Sequence, residues 1–175
     1  ARCLALAVLV APATWAYAGP AKLPLEIIEI GIFCPVVTRG SEVAPDTAIG
    51  TIDLISRDEH VDLPETRVPA KRDLSFGMRY RLTPGTSDQI GTVIVTHPPM
   101  GSTGRTRQSW QTHLSASDEG IATYSFDAPD ELLIGRWTMQ IDVNGKTLFI
   151  QNFDVVPPGQ APAAVQLCSD ENIIS

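Results

Sequence analysis

The side chains that could do chemistry are few and scattered. The chain holds three histidines, His60, His97 and His113. No Gly-x-Ser-x-Gly turn is present to expose a serine beside one of them. No two carboxylates stand in a recognisable acid/base setting. The sequence is therefore read as non-catalytic, with no cofactor. A softer donor set is more suggestive. His97 and Met100 share one segment, with Met78 and His113 nearby in sequence. Imidazole with thioether sulfur suits copper in an exported protein, so a small metal carrier is the alternative reading. Its spacing is weak, without His-x-His or Cys-His pairs, and Met78 falls on the apolar side of its own segment.

Charge carries more information. Lys and Arg number 13 against 20 Asp and Glu, a net charge of -7. That balance argues against nucleic acid, which demands a basic surface. Yet cations are segregated. Arg67, Lys71, Arg72, Arg79, Arg81, Arg105 and Arg107 face only Asp73 and Asp88 within their window. Arg79 and Arg81 point to the same side of one alternating run. They either pair with acids on neighbouring strands, which contributes little at a surface, or receive an anionic ligand. The anion would be an acidic glycan, a lipid headgroup or an acidic envelope protein. Residues 97–108 read as a long loop with two prolines, two glycines and two arginines, the type of loop that binds. The candidate binding residues are thus Arg79, Arg81, His97, Met100, Arg105 and Arg107. Asp118-Glu119 and Asp130-Glu131 read as solvated turns, and Trp110 and Trp137 as core.

The elements that must position these residues are strands. With 14 prolines and 13 glycines, no segment keeps helical apolar spacing over three turns. Period-two alternation recurs instead. It is clearest at Leu74, Phe76, Met78, Tyr80 and Leu82, and at Trp137, Met139, Ile141 and Val143. Asn144-Gly145 then signals a type I′ hairpin. Closing there sets Ile141 opposite Leu148 and Met139 opposite Ile150, with a bulge near Gln151-Asn152 restoring the phase of Phe153 and Val155. Further strands are expected over Leu25–Phe33, Ala48–Arg57, Thr66–Val68, Ile90–His97, Thr106–Leu114 and Ile121–Phe126. The expected fold is an all-β, antiparallel, Ig-like sandwich of roughly seven to nine strands without substantial helix. A closed lipocalin-type barrel is the alternative.

The ends read differently. Arg2, the apolar run Leu4–Ala11 and Ala16-Tyr17-Ala18 have the form of a cleavable secretory signal over 1–18. The run is too short to span a bilayer, and Cys3 precedes it, which does not fit a lipoprotein. Residues 19–24 read as linker, 25–156 as the domain and 157–175 as a polar tail that looks loose. Cleavage would leave Cys34 and Cys168. In the oxidising periplasm or medium such a pair is expected to form a disulfide that ties down the tail.

Some segments are familiar. Gly135-x-Trp137, Ile141-x-Val143-Asn144-Gly145-Lys146 and Phe153-x-Val155 look like the closing hairpin of bacterial Ig-like domains. A longer set is more specific: Glu29-Ile30-Gly31-Ile32, Arg67-Val68-Pro69-Ala70, Leu74-Ser75-Phe76-Gly77, Thr96-His97-Pro98-Pro99-Met100 and Arg107-Gln108-Ser109-Trp110. Over residues 25–156 the chain resembles a family of exported bacterial proteins, DUF3859, a domain of unknown function. The resemblance implies an exported β-sandwich and brings no established functional residues. These readings together give an exported, non-catalytic module of the cell envelope that binds or scaffolds.

Overall fold

The computed structural model describes residues 24–169. The signal-like segment over 1–18 and nearly all of the linker lie outside them. The described chain is built of strands, as the alternation predicts. They are β1 (Leu25–Phe33), β2 (Gly40–Val43), β3 (Thr51–Leu54), β4 (Arg67–Pro69), β5 (Ser75–Leu82), β6 (Gln89–Met100), β7 (Arg105–Leu114), β8 (Gly120–Ser125), β9 (Gly135–Val143) and β10 (Lys146–Val156). A three-stranded sheet has the order β1-β5-β8, and a five-stranded sheet the order β4-β10-β9-β6-β7. A separate hairpin pairs β2 with β3. Every pairing is antiparallel except that of β4 with β10. No helix among the described residues is long and apolar enough to cross a membrane.

The two larger sheets close on each other through their alternate side chains. Phe76, Met78 and Tyr80 from β5 meet Trp137, Met139 and Ile141 from β9, and all six are fully buried. Phe76 stands edge-on to Trp137, ring centroids 5.8 Å apart and planes at 87°. Phe126 approaches the same indole edge-on at 5.7 Å, and Tyr124 tilts against it at 5.0 Å. The indole N–H is satisfied by the Leu133 carbonyl at 3.0 Å, as a buried tryptophan requires.

Four local expectations are corrected. Asn144 and Gly145 do take positive φ, 50° and 74°, and close the hairpin. The bulge, however, falls between Thr147 and Phe149, not at Gln151-Asn152. The extra residue therefore enters beside the turn. Ile141 pairs with Phe149 and Met139 with Gln151. Ile150 lands on the outer face, 54% exposed, while Leu148 turns in. Residues 97–108 are not a long loop: β6 runs to Met100 and β7 begins at Arg105, around a tight turn with Gly101 and Gly104 at positive φ. The strand expected over 48–57 is confined to β3, and β2 is an additional strand that Gly40-Ser41-Glu42-Val43 does not announce. Finally, the described part of the tail, residues 157–169, is ordered. Residues Pro162–Leu167 form a short helix, α1, whose Ala164 is fully buried.

Cys34 and Cys168 are bonded, their Cα atoms 4.8 Å apart, inside the range a disulfide spans. Lys71 Nζ donates to the Cys168 carbonyl at 2.8 Å, a second tie between tail and body.

Two outcomes follow from this packing. Trp137→Ala removes the ring around which four aromatic side chains, Phe76, His97, Tyr124 and Phe126, gather and should cost about 3–5 kcal/mol in urea unfolding. Ile150→Ala should cost less than about 0.5 kcal/mol. Equal losses would contradict the register. Digestion without reductant should recover the Cys34 and Cys168 peptides linked. Reduction should expose α1 to protease while shifting the core melting temperature little, because the β4–β10 pairing already closes most of that loop.

Candidate functional site

The basic residues singled out by the sequence do not make one face. Arg79 alternates out of the core, yet it is only 5% exposed. The chain between β3 and β4 lies over it. Its guanidinium donates to the carbonyls of Arg57 and Glu59 and to the Glu119 carboxylate. Its Nε lacks a hydrogen bond, but Glu29 Oε2 stands 3.5 Å away. Arg79 is thus a staple holding the crossover segment to the sheet, and Glu119 is its counter-ion instead of a solvated turn residue. Partial burial by itself would raise the Glu29 carboxyl. Hydrogen bonds from His60 and the Val61 amide, with the charges of His60 and Arg79, outweigh it and hold the group below its ordinary value. Arg81 pairs with Glu26 at 3.0 Å on the surface. Arg105 donates to the Asp46 carbonyl at 3.0 Å and Arg107 to Ser109 Oγ at 3.3 Å. Arg79 and Arg81 belong to one sheet, Arg105 and Arg107 to the edge strand of the other.

His97 and Met100 do come together, but inside the protein. Both are nearly fully buried, and both approach the amide nitrogen of Gln108, His97 Nε2 at 3.2 Å and Met100 Sδ at 3.9 Å. His97 Nδ1 lies 2.8 Å from the Pro98 carbonyl. Nδ1 therefore donates, and Nε2 accepts from Gln108. Burial, the largest cause, pushes the His97 pKa down; Arg105 adds to this, against the Pro98 hydrogen bond and Glu131. The Gln108 amide also donates to Tyr124 Oη at 2.9 Å, and Tyr124 donates to Glu131 Oε1 at 3.0 Å. Glu131 Oε2 accepts from the Asp127 and Ala128 amides, capping the short turn at 129–131. Glu131 is therefore a buried acceptor, not a solvated turn. Burial and the Glu131 charge push the Tyr124 hydroxyl far up. His113 and Met78 take no part: His113 is a surface residue 3.7 Å from Asp88, and Met78 is core. No group of three or more His, Cys, Asp and Glu suited to a metal ion occurs among the described residues.

Gln108, Tyr124 and Glu131 of this cluster line a groove of about 570 Å³. One wall is β8, where the three-stranded sheet ends. Another is β7, where the five-stranded sheet ends. The β2–β3 hairpin forms the third and touches β7 at its rim: the Ala48 amide donates to Gln108 Oε1 at 2.6 Å, and the Ser109 amide to the Asp46 carbonyl at 3.3 Å. Trp110, half-buried and not core as expected, lines the groove with Ile52 and Ile121. Seven carboxylates line it too, Glu42, Asp53, Asp73, Asp118, Glu119, Asp127 and Glu131, against one arginine, Arg57. Local charge is therefore opposite to what the basic window implies. The Asp127 carboxyl registers it, being pushed up to about 6, first by burial, then by Glu131, Asp53 and Asp73, with Arg72 opposing. Sequence reading missed this grouping because the acids sit on the β2–β3 hairpin and in three separate connectors and approach each other only when the two sheet edges align.

The Asp127 shift gives a pH dependence of known sign. The folded protein holds this proton more tightly than the unfolded chain does, so stability falls as pH rises from 3.8 to about 6. Asp127→Asn should melt above wild type at pH 7, and the difference should vanish below pH 4. The group is partly solvated, so the gain is modest. Identical melting curves across that range would remove the electrostatic account.

Comparison with known proteins agrees with this architecture. The family model described as a domain of unknown function (DUF3859) matches residues 21–155. No curated protein matches. An immunoglobulin-like protein from Pseudomonas aeruginosa has a similar fold, with a TM-score of 0.51 at 23% identity, over 78% of this chain and 100% of the other. An alkylpurine DNA glycosylase from Pseudomonas fluorescens aligns at a TM-score of 0.36 and 13% identity, over 75% of this chain and 30% of its own. That likeness is too slight to inform function. The family model spans most of the chain, and this chain belongs to the DUF3859 family.

Proposed function

We propose that this chain is an exported, non-catalytic binding module of the cell envelope, periplasmic or secreted, and that its ligand occupies the groove between β7, β8 and the β2–β3 hairpin. The observation that carries the reading is the groove itself, a cleft of ligand size with seven carboxylates and one arginine on its walls. Such a wall favours a cationic partner through the Coulomb field of the cleft. An anionic glycan or headgroup has less to hold it, since Arg79, Arg81, Arg105 and Arg107 each have acceptors within the protein. Export is supported by the Cys34–Cys168 bond, which suits an oxidising compartment, and by the signal-like segment at 1–18.

The metal-carrier reading keeps one observation in its favour, the convergence of His97 and Met100 on Gln108. To bind copper, both would have to release that amide, and metal analysis of the purified protein decides the matter.

The charge reading is tested with octalysine and heparin as opposite probes in calorimetry. Octalysine should bind, weaken as salt rises, and bind less to the triple variant Asp53→Asn, Asp118→Asn, Asp127→Asn. Heparin binding that is lost in Arg105→Glu, Arg107→Glu, with none to octalysine, would overturn the proposal and restore an anionic ligand.

A further inference from the structure

The edges of the two larger sheets are not treated alike. An uncovered edge strand offers unpaired N–H and C=O groups to any passing chain, and proteins blunt it with brevity, proline, charge or a cover. The free side of β1 is covered: the Ile32 amide donates to the Leu63 carbonyl at 2.9 Å, and the Asp62 amide returns to the Ile32 carbonyl at 3.0 Å. The β4 edge is three residues long and ends in Pro69. The β7 edge is contacted by residues 46 and 48 of the β2–β3 hairpin. β8 has none of these devices. Its six residues, Gly120-Ile121-Ala122-Thr123-Tyr124-Ser125, include no charge and no proline, and among the described residues no strand pairs with its outer side.

That open side faces the groove. The Phe126 amide donates to the Leu74 carbonyl at 3.1 Å, toward β5. Residues in step with it, Ala122 and Tyr124, direct their backbone groups the same way. Ile121, Thr123 and Ser125 direct theirs into the groove. Across it stands β3, half of a two-stranded hairpin, a unit only marginally stable alone, which exposes Val43, Ile49 and Leu54.

Resting on the groove reading above, we propose that the free edge of β8 receives an extended, lysine- or arginine-rich segment of a partner protein, which joins the three-stranded sheet as its fourth strand. Main-chain bonds to Ile121, Thr123 and Ser125 give the affinity, and side-chain contacts on alternate residues give the selection. Asp53, Asp118 and Asp127 supply the complementary charge, while Trp110 and Ile52 receive apolar residues between the cations. The chain's own C-terminal residues Asp170 and Glu171 carry the wrong sign for this place.

The test uses the intact protein and the hexapeptide Lys-Val-Lys-Val-Lys-Val, with and without N-methyl groups on alternate amides. NMR hydrogen exchange reads the protein side. Binding should slow exchange at Ile121, Thr123 and Ser125 and leave Ala122 and Tyr124, already bonded to β5, unchanged. N-methylation on the pairing edge should weaken binding about tenfold or more. Thr123→Pro removes one outward donor and keeps the β5 ladder, so it should lose affinity at unchanged melting temperature. If that variant does not fold, the methylated peptide on wild type still decides. Equal binding of both peptides with the three amides exchanging freely would overturn strand addition and leave the acidic groove standing. No binding of the hexapeptide or of octalysine would overturn both. Protection of the three amides without peptide would also overturn the proposal. If it rises with protein concentration, a second copy is the occupant; if not, a segment of this chain is.

Discussion

The edge-on contact of Phe76 with Trp137 is the constraint on which the rest of the molecule depends. One ring comes from the three-stranded sheet and the other from the five-stranded sheet. Their contact fixes how the two layers face each other. Once Trp137 is seated, Tyr124 and Phe126 from the end of the smaller sheet pack around it, and His97 stacks on it from β6 at 4.8 Å. Aromatic pairs of this geometry add to the area they bury. Here they also set the spacing between β7 and β8, because Tyr124 and Gln108 must meet across the gap.

That meeting explains a buried polar cluster inside an apolar sandwich. Gln108 can satisfy His97, Tyr124 and the Ala48 amide together because they come from three different elements, β6, β8 and the β2–β3 hairpin. Glu131 completes it by accepting from Tyr124 and two backbone amides. A partly satisfied cluster at this depth would be costly. A satisfied one locks the β2–β3 hairpin onto β7 and keeps the groove open between that hairpin and β8. Arg79 performs the corresponding task on the outer face, where it holds the crossover segment with both carbonyl and carboxylate partners. Breaking such a pair by removing one partner is far more damaging than its net contribution suggests. The arginine belongs to the scaffold of the groove and not to its binding surface.

Electrostatics turn on proximity in space. Seven basic residues lie close in sequence, yet folding distributes them over two sheets and the β4–β5 connector and gives Lys71, Arg72, Arg79, Arg81, Arg105 and Arg107 acceptors within the protein. Acids from the β2–β3 hairpin and three connectors, far apart in sequence, converge on one cleft. Interactions between exposed charges fade over about 8 Å at physiological ionic strength, so only the second grouping survives as a local field. The raised Asp127 carboxyl is its signature.

The sequence by itself determined the strand content, most strand positions, the Asn144-Gly145 turn and the core faces of β5 and β9. Those follow from side-chain alternation and turn chemistry, which act over a few residues. The pairing of Cys34 with Cys168 was legible too, as the two cysteines left once the signal-like segment is set aside. Only the tertiary structure decided where the bulge beside Leu148 falls, since one inserted residue anywhere along the strand restores the same apolar phase, and so it alone put Ile150 outside. It alone buried Arg79, His97, Met100 and Glu131, because a polar residue's burial depends on partners that arrive from distant segments. The β2 strand and the acidic groove were equally invisible beforehand. Gly40-Ser41-Glu42-Val43 has no strand pattern of its own, and the groove exists only where two sheet edges and a hairpin enclose the same space.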